Sequence, residues 1–308
     1  MNCIDQKFQE LMKKIKGYSE AELYYQMRTS FEKVPLETKV SMMNFFNDFL
    51  YWGRMNIEES CYEEIEWKAK ALKEHLSDFE KLYELLSDYR SKKTLYAILN
   101  NWVCFDFLTL EQVREKAFDD YFDLDLVPEC NQEVMVDLGA YTGDTILSFV
   151  NNYGKDSYQK IYAYEITPDT FTILEDNVKD LERVECRLKG VGNENCTMNL
   201  IHNAVSSSAN TLISDDTGSI PVVSLDSDIC EEITMIKADI EGFEQKALEG
   251  AKEHIKNEHP KLFISVYHNN EDLFKIPQMI QEIDSTYQFY LRYYGGNIYP
   301  TEITLIAI

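Results

Sequence analysis

Basic residues are scarce in this chain. Only 30 lysines and arginines face 54 aspartates and glutamates across 308 residues, a formal net charge of −24. A field of that sign repels a phosphate backbone rather than gathering it, so nucleic acid is not an expected partner. Cysteine is sparse too: Cys3, Cys61, Cys104, Cys130, Cys186, Cys196 and Cys230 form no CxxC pair and are odd in number. Neither a disulfide framework nor a zinc ribbon is indicated, and a reducing cytoplasm is the expected home. No run of about 18 apolar residues occurs, and the opening MNCIDQKFQELMKKIKGYS lacks the apolar core of a signal peptide. A membrane partner is therefore not expected.

Glycine is almost missing from residues 1–130, where only Gly17 and Gly53 occur. What fills that stretch is apolar residues at helical spacing, punctuated by three S/T-x-x-E/Q boxes: Ser19 to Glu22, Ser60 to Glu63 and Thr109 to Gln112. In FEKLYELLSDYRSKKTLYAILNNW, Phe79, Leu82, Leu86, Tyr89, Leu95, Leu99 and Trp102 fall near one stripe, as core-facing helices require. An all-helical N-terminal domain over 1–130 is predicted. It could cover a site or make a dimer contact, and periodicity fixes no oligomeric state.

From residue 131 the period changes. β-rich runs at 133–139, 161–165, 184–190, 235–240 and 261–268 alternate with helical stretches, including TPDTFTILEDNV, with Thr167 as N-cap and Pro168 at the first helical position. GFEQKALEGAKEHIKN reads as one helix stopped by Pro260. Residues 191–234 read as short strands and polar turns, and YQFYLRYYGGNIYPTEITLIAI as two strands about Gly295 and Gly296. The expectation for 131–308 is an α/β domain: a mostly parallel, seven-stranded sheet ending in an antiparallel hairpin.

Ligands of such sheets sit beyond the carboxyl ends of the strands. The residues there are Asp137, Gly139 and Gly143; Glu165; Gly190 and Val191; Asp239 and Glu241; and Tyr267, His268 and Asn269. VMVDLGAYTGDT has GxxxG rather than GxGxxG, and Asp144 stands where a pyrophosphate would lie; no GK[ST] follows, which excludes a Walker loop. Residues 1–130 carry 25 acids and 17 bases, leaving −16 of the net charge in 131–308. An acidic half suits a sulfonium, so the candidate cofactor is S-adenosylmethionine, yielding S-adenosylhomocysteine. Asp137 and Asp144 would serve its methionyl end, Glu165 its ribose and Val191 its adenine, with Tyr141 and Thr145 in the same loop.

Over about residues 118–308 the segments YFDLDLVPECNQEVMVDLGAYTGDT, YAYEITPDTFTILEDNV, KGVGN, VVSLD, IKADIEGFEQKALEGA and ISVYHNNEDLFKIPQMI with YLRYYGG follow in order, IKADIEGFE being the most specific. In them the chain resembles the FkbM-type S-adenosylmethionine-dependent methyltransferases, a class I, Rossmann-like family. Tyr141 departs from it, standing where members commonly show Asn. The resemblance implies O-methylation of a hydroxyl on a sugar, glycan precursor or small metabolite. N-methylation of an amine and a non-catalytic cofactor-binding protein are the alternatives. Asp239, Glu241 and His268 are candidate bases, each with another reading: cofactor binding or capping for Asp239, a helix-dipole charge for Glu241, an ordinary surface histidine for His268. No metal site is expected; Mg²⁺ through Asp239 and Asn269 is a minor alternative.

Overall fold

The computed structural model describes residues 2–49, 52–213, 218–296 and 298–308. The chain gathers into two compact units that interleave in sequence: residues 1–115 with 266–277 and 288–304, and residues 116–265 with 278–287 and 305–308. The boundary expected at residue 130 marks a change of periodicity, whereas these units follow contacts.

The first unit is mainly helical, over Cys3–Gly17, Glu20–Glu32, Leu36–Asp48, Glu63–Glu74, Leu76–Leu85, Tyr89–Cys104 and Phe107–Glu111. Ser19 and Glu22 form the expected box, Glu22 Oε2 accepting from Ser19 N–H at 2.7 Å and Ser19 Oγ from Glu22 N–H at 3.3 Å. The other two boxes do not form. Ser60 has φ +55° in the turn between Met55–Asn56 and Cys61–Tyr62, and Asp106 rather than Thr109 caps Phe107–Glu111. S/T-x-x-E/Q fixes the spacing of two side chains but not the extended backbone an N-cap needs. An unanticipated box, Asn2 with Asp5, opens the first helix. Of the apolar stripe, only Tyr89 points outward, at 52% exposure. Its neighbour Asp88 starts Tyr89–Cys104, accepting from Ser91 N–H at 2.7 Å and from Arg292 Nη2 at 2.8 Å.

Seven strands make the large sheet: β1 Glu133–Leu138, β2 Tyr158–Glu165, β3 Val184–Leu188, β4 Met235–Ala238, β5 Lys261–Ser265, β6 Phe289–Tyr293 and β7 Ile303–Ala307, in the order β6-β7-β5-β4-β1-β2-β3. The pairs β5–β4, β4–β1, β1–β2 and β2–β3 are parallel. All six residues of β1 are buried, the continuous pattern of a strand covered on both faces. Burying Val136 or Leu138 there stabilises the fold by roughly 1.5–3 kcal/mol each. The sheet runs outward in both directions from the β1–β4 pair, which makes that pair the topological switch point.

Within the second unit, Pro168 starts the helix Pro168–Val178 as expected, but Thr167 makes no side-chain cap. The helix read as continuous from Gly242 is two, Glu244–Glu249 and Lys252–Glu258. The break has a cause at Gly250, where a Cβ would stand 1.9 Å from the Gly192 carbonyl oxygen. Asp226 then caps the second piece, accepting from Glu253 and His254 N–H at 3.1 and 3.2 Å. Residues 190–223 form the expected short strands as a four-stranded sheet, in the order Gly190–Val191, Ile220–Val223, Cys196–Ile201, Thr211–Ile213. Residues 214–217 of the expected insert lie outside the described residues.

Asp284 closes the second unit's C-terminal segment onto His259. The Thr286 hydroxyl and N–H donate to Oδ1 at 2.7 and 2.9 Å, and His259 Nδ1 lies 2.7 Å from Oδ2. These bonds, the hydroxyl's first, hold the carboxyl down at about 2. A lowered carboxylate pKa gives stability that is present above the unfolded value of about 3.9 and lost as pH falls towards 2. Asp284→Asn is therefore expected to lower Tm at pH 6, the difference from the parent shrinking to nothing between pH 4 and 2 in a calorimetric series.

Candidate functional site

At the carboxyl ends of β1, β2 and β4 the second unit opens a cleft, where ligands of open α/β sheets sit. Six sequence candidates meet in its lining: Gly139, Glu165, Gly190, Val191, Asp239 and Glu241. Tyr141, Gly143, Asp144, Thr145 and Asp137 lie outside that lining, and Asp144 is exposed.

Gly139 is a steric necessity. It has φ +73°, and a Cβ there would stand 1.9 Å from the Asp239 carbonyl oxygen, so only glycine lets the ends of β1 and β4 approach. Asp137, one turn of the pleat earlier, is fully buried and registers with Lys237 on β4. Lys237 Nζ lies 3.0 Å from Asp137 Oδ1 and donates to the Gly139 carbonyl at 2.8 Å. Burial works against the ammonium, but the Asp137 and Asp239 carboxylates outweigh it and hold its pKa above the usual lysine value; burial raises that of Asp137. Asp137 thus holds the lysine that braces the loop after β1.

Glu165 ends β2 with its carboxylate already engaged by the backbone. It accepts from Thr167 N–H at 2.7 Å, Ile166 N–H at 2.9 Å and Tyr141 N–H at 3.0 Å. Burial raises its pKa against these bonds. These bonds fix the carboxylate at the cleft wall, which Glu165 lines. Tyr141, with φ +47°, reaches this carboxylate through its N–H, a contact that depends on the backbone and not on its ring.

Asp239 is held by a residue that sequence reasoning missed. Tyr121, 8% exposed, donates its hydroxyl to Asp239 Oδ2 at 2.7 Å. Its φ of +72° is a strained value for a tyrosine, visible only in the backbone. Glu244 was also missed: fully buried, it accepts from Ile240 N–H at 2.8 Å and Gly242 N–H at 3.1 Å, tying the turn after β4. Both Lys237 and Glu244 stand in the IKADIEGFE segment, where spacing alone carries no sign of their burial. Glu241, with φ +55°, lines the cleft and its carbonyl accepts from Thr211 Oγ1 at 3.2 Å. The insert adds Ser207, Ser208, Asn210 and Leu212 to the wall. Among lining charges, Glu165, Asp239 and Glu241 outnumber Lys189, which is itself 2.8 Å from Asp228.

His268 belongs to the first unit. It is buried at 1% exposure with its ring 4.2 Å from that of Tyr267, which sets aside the reading of a surface histidine.

Residues 137–293, just over half of the chain, match the model of the methyltransferase FkbM domain. The chain belongs to the FkbM methyltransferase family. The fold agrees: a methyltransferase FkbM from Methylobacillus flagellatus superposes with a TM-score of 0.66 at 25% identity, covering 79% of this chain and 62% of that one. The chain thus spans under two thirds of that relative's length. Weaker likenesses, at TM-scores of 0.39 and 0.38, link this FkbM chain to an rRNA methylase from Streptococcus thermophilus (15% identity, 58% and 87% covered) and to Aeropyrum pernix fibrillarin (11% identity, 58% and 67% covered). No curated protein sequence matches it. No helix among the described residues is long and apolar enough to cross a membrane.

Two substitutions test the architecture of this FkbM site. Lys237→Met strands a buried carboxylate and is expected to cost about 3–5 kcal/mol in chemical denaturation, with most of it restored by adding Asp137→Asn. Gly139→Ala is expected to cost roughly 2–3 kcal/mol or more from its φ and its clash with the Asp239 carbonyl; unchanged stability would mean that β1 and β4 end farther apart.

Proposed function

We propose that this protein is an S-adenosylmethionine-dependent methyltransferase acting on a hydroxyl of a sugar, glycan precursor or small metabolite. The observation that carries the reading is the cleft at the β1–β4 switch point, where Glu165, Asp239 and Glu241 converge beside the close approach that Gly139 permits. The residues fit a nucleoside with a positive centre. Val191, Ile166, Leu212 and Phe243 supply apolar wall, Glu165 an acceptor for ribose hydroxyls, and the surplus of carboxylates an environment for a sulfonium.

When bound, S-adenosylmethionine supplies an electrophilic methyl carbon. The chain's own part is alignment and proton removal, of which alignment can supply roughly 7–11 kcal/mol. Asp239 takes the proton of the attacking hydroxyl, and Tyr121 fixes the orientation of its carboxylate. Glu241 adds negative charge at the same strand tip. The net charge of −24 supports a small or glycan acceptor over nucleic acid.

The test is calorimetric titration with S-adenosylmethionine followed by incubation of labelled cofactor with cell extract and identification of the labelled product by mass. Binding is expected, weakened about tenfold or more by Glu165→Ala, as a lost charged hydrogen bond implies. Asp239→Asn is expected to retain binding and lose roughly 10²–10⁴ in rate, and Tyr121→Phe a smaller fraction of it. Absence of binding sinks the cofactor assignment. Activity preserved in Asp239→Asn moves the reading to an amine acceptor, which needs less help from a base.

A further inference from the structure

In the insert of the second unit, Cys196–Ile201 and Thr211–Ile213 pair antiparallel, with Leu200 opposite Leu212, and residues 202–210 join them as a loop. Side chains tie that loop to itself. Asn203 Oδ1 accepts from Val205 and Ser206 N–H at 2.8 and 3.1 Å, and Asn210 Oδ1 accepts from Asn203 N–H at 2.8 Å, so the loop is closed on its own two ends. A compact loop bonded internally in this way keeps its shape as one piece.

Ser207, Ser208 and Asn210 carry the piece into the same lining as Glu165 and Glu241. At its exit Leu212 lies over Gly190, where an added Cβ would stand 2.6 Å from Leu212 Cδ1, and Thr211 Oγ1 donates to the Glu241 carbonyl at 3.2 Å. Glu165 and Val191, the residues offered to ribose and adenine, are only 6% and 4% exposed. A nucleoside that reaches both needs a wall that can give way. The strand tips are fixed by the sheet, whereas the loop is fixed by side chains.

The bond that fixes it engages Thr167. This residue stands at the N-cap of Pro168–Val178, where a threonine hydroxyl ordinarily accepts from the first turn, and here it makes no such bond. Its Oγ1 accepts instead from Asn210 Nδ2 at 3.0 Å, with both residues buried. The N–H of the same threonine donates to Glu165 Oε1 at 2.7 Å. Burial raises the Glu165 pKa, and the N–H and hydroxyl of Thr167 draw it back. Thr167 thus forgoes a helix cap and stands between the loop and the acid of the cleft.

We propose that residues 202–210 form a latch over the cofactor, and that Asn210 is the positioning residue that sets the closed loop against Glu165 through Thr167. The proposal rests on the cofactor reading above. Breaking the Asn210–Thr167 bond frees the loop to admit or release the cofactor, and remaking it restores the backbone that orients Glu165.

Calorimetric titration of the full chain with S-adenosylmethionine, and hydrogen exchange read by mass with and without it, test the latch. Asn210→Ala and Thr167→Val are each expected to weaken binding about tenfold, as loss of a buried hydrogen bond implies. Thr167→Ser, which keeps the hydroxyl, is expected to bind like the parent. The double variant Asn210→Ala/Thr167→Val is expected to bind about as weakly as either single one, because both remove the same bond; independent effects would multiply to about a hundredfold. Bound cofactor is expected to slow exchange across 202–210 in the parent and in Thr167→Ser, and much less in Asn210→Ala. Circular dichroism checks that each variant folds, and exchange on the parent decides without any variant. Folded variants that bind like the parent, a Thr167→Ser as weak as Thr167→Val, or exchange at 202–210 unchanged by bound cofactor overturns the latch. A parent that binds no S-adenosylmethionine sinks the cofactor reading and the latch with it, whereas a parent that binds it with loop exchange unchanged loses the latch alone.

Discussion

The site depends on one buried ion pair. Asp137 and Lys237 are partners in register on the two central parallel strands, and both side chains are withdrawn from water. Removing two charges from solvent is costly, and the pair is tolerable because the ammonium has further acceptors in the Leu138 and Gly139 carbonyls at 3.3 and 2.8 Å. Those carbonyls belong to the loop that must turn away from β1. The lysine therefore couples the strand that carries the glycines to the strand that carries Asp239, and the close approach at Gly139 becomes a consequence of the pairing.

The acids around the cleft divide their labour in a way their positions along the chain conceal. Glu244 spends its carboxylate on two backbone N–H groups, and Glu165 spends most of its own on three. Such bonds stiffen loops that carry no regular secondary structure, and a stiff loop holds a ligand without first having to be ordered. Asp239 differs, since it accepts from a side chain, the Tyr121 hydroxyl, and a phenol can share or release a proton where an amide cannot.

Much of this was legible in the sequence. The β/α alternation after residue 131 gave the parallel sheet because strands joined through helices run the same way, and strand tips located the cleft because turns beyond a parallel sheet are where polar residues can converge. Asp137 shows the limit: an acid at the end of a buried strand reads as ligand-facing, and only the register with Lys237 shows its internal partner. The broken helix at Gly250 and the failed caps at Ser60 and Thr109 have the same origin. Each depends on what another part of the chain brings alongside, and spacing within a segment carries no trace of it.

The strained backbone points the same way as the charges. Tyr121, Tyr141 and Glu241 all take φ between +47° and +72°, a region that costs non-glycine residues of order 1–3 kcal/mol each. Each one serves the cleft: Tyr121 through its hydroxyl on Asp239, Tyr141 through its N–H on Glu165, Glu241 by lining the wall. Glycine at any of the three would relieve the strain, yet at position 121 it would also remove the phenol, and at 241 the carboxylate. At Tyr141 the hydrogen bond needs only the backbone, so strain relief there carries no loss of that contact. A side chain kept at position 141 against its own conformational cost is thus explained only by something the ring itself does beyond the N–H bond to Glu165, and among the three residues it is the one whose side chain is still without an assigned duty.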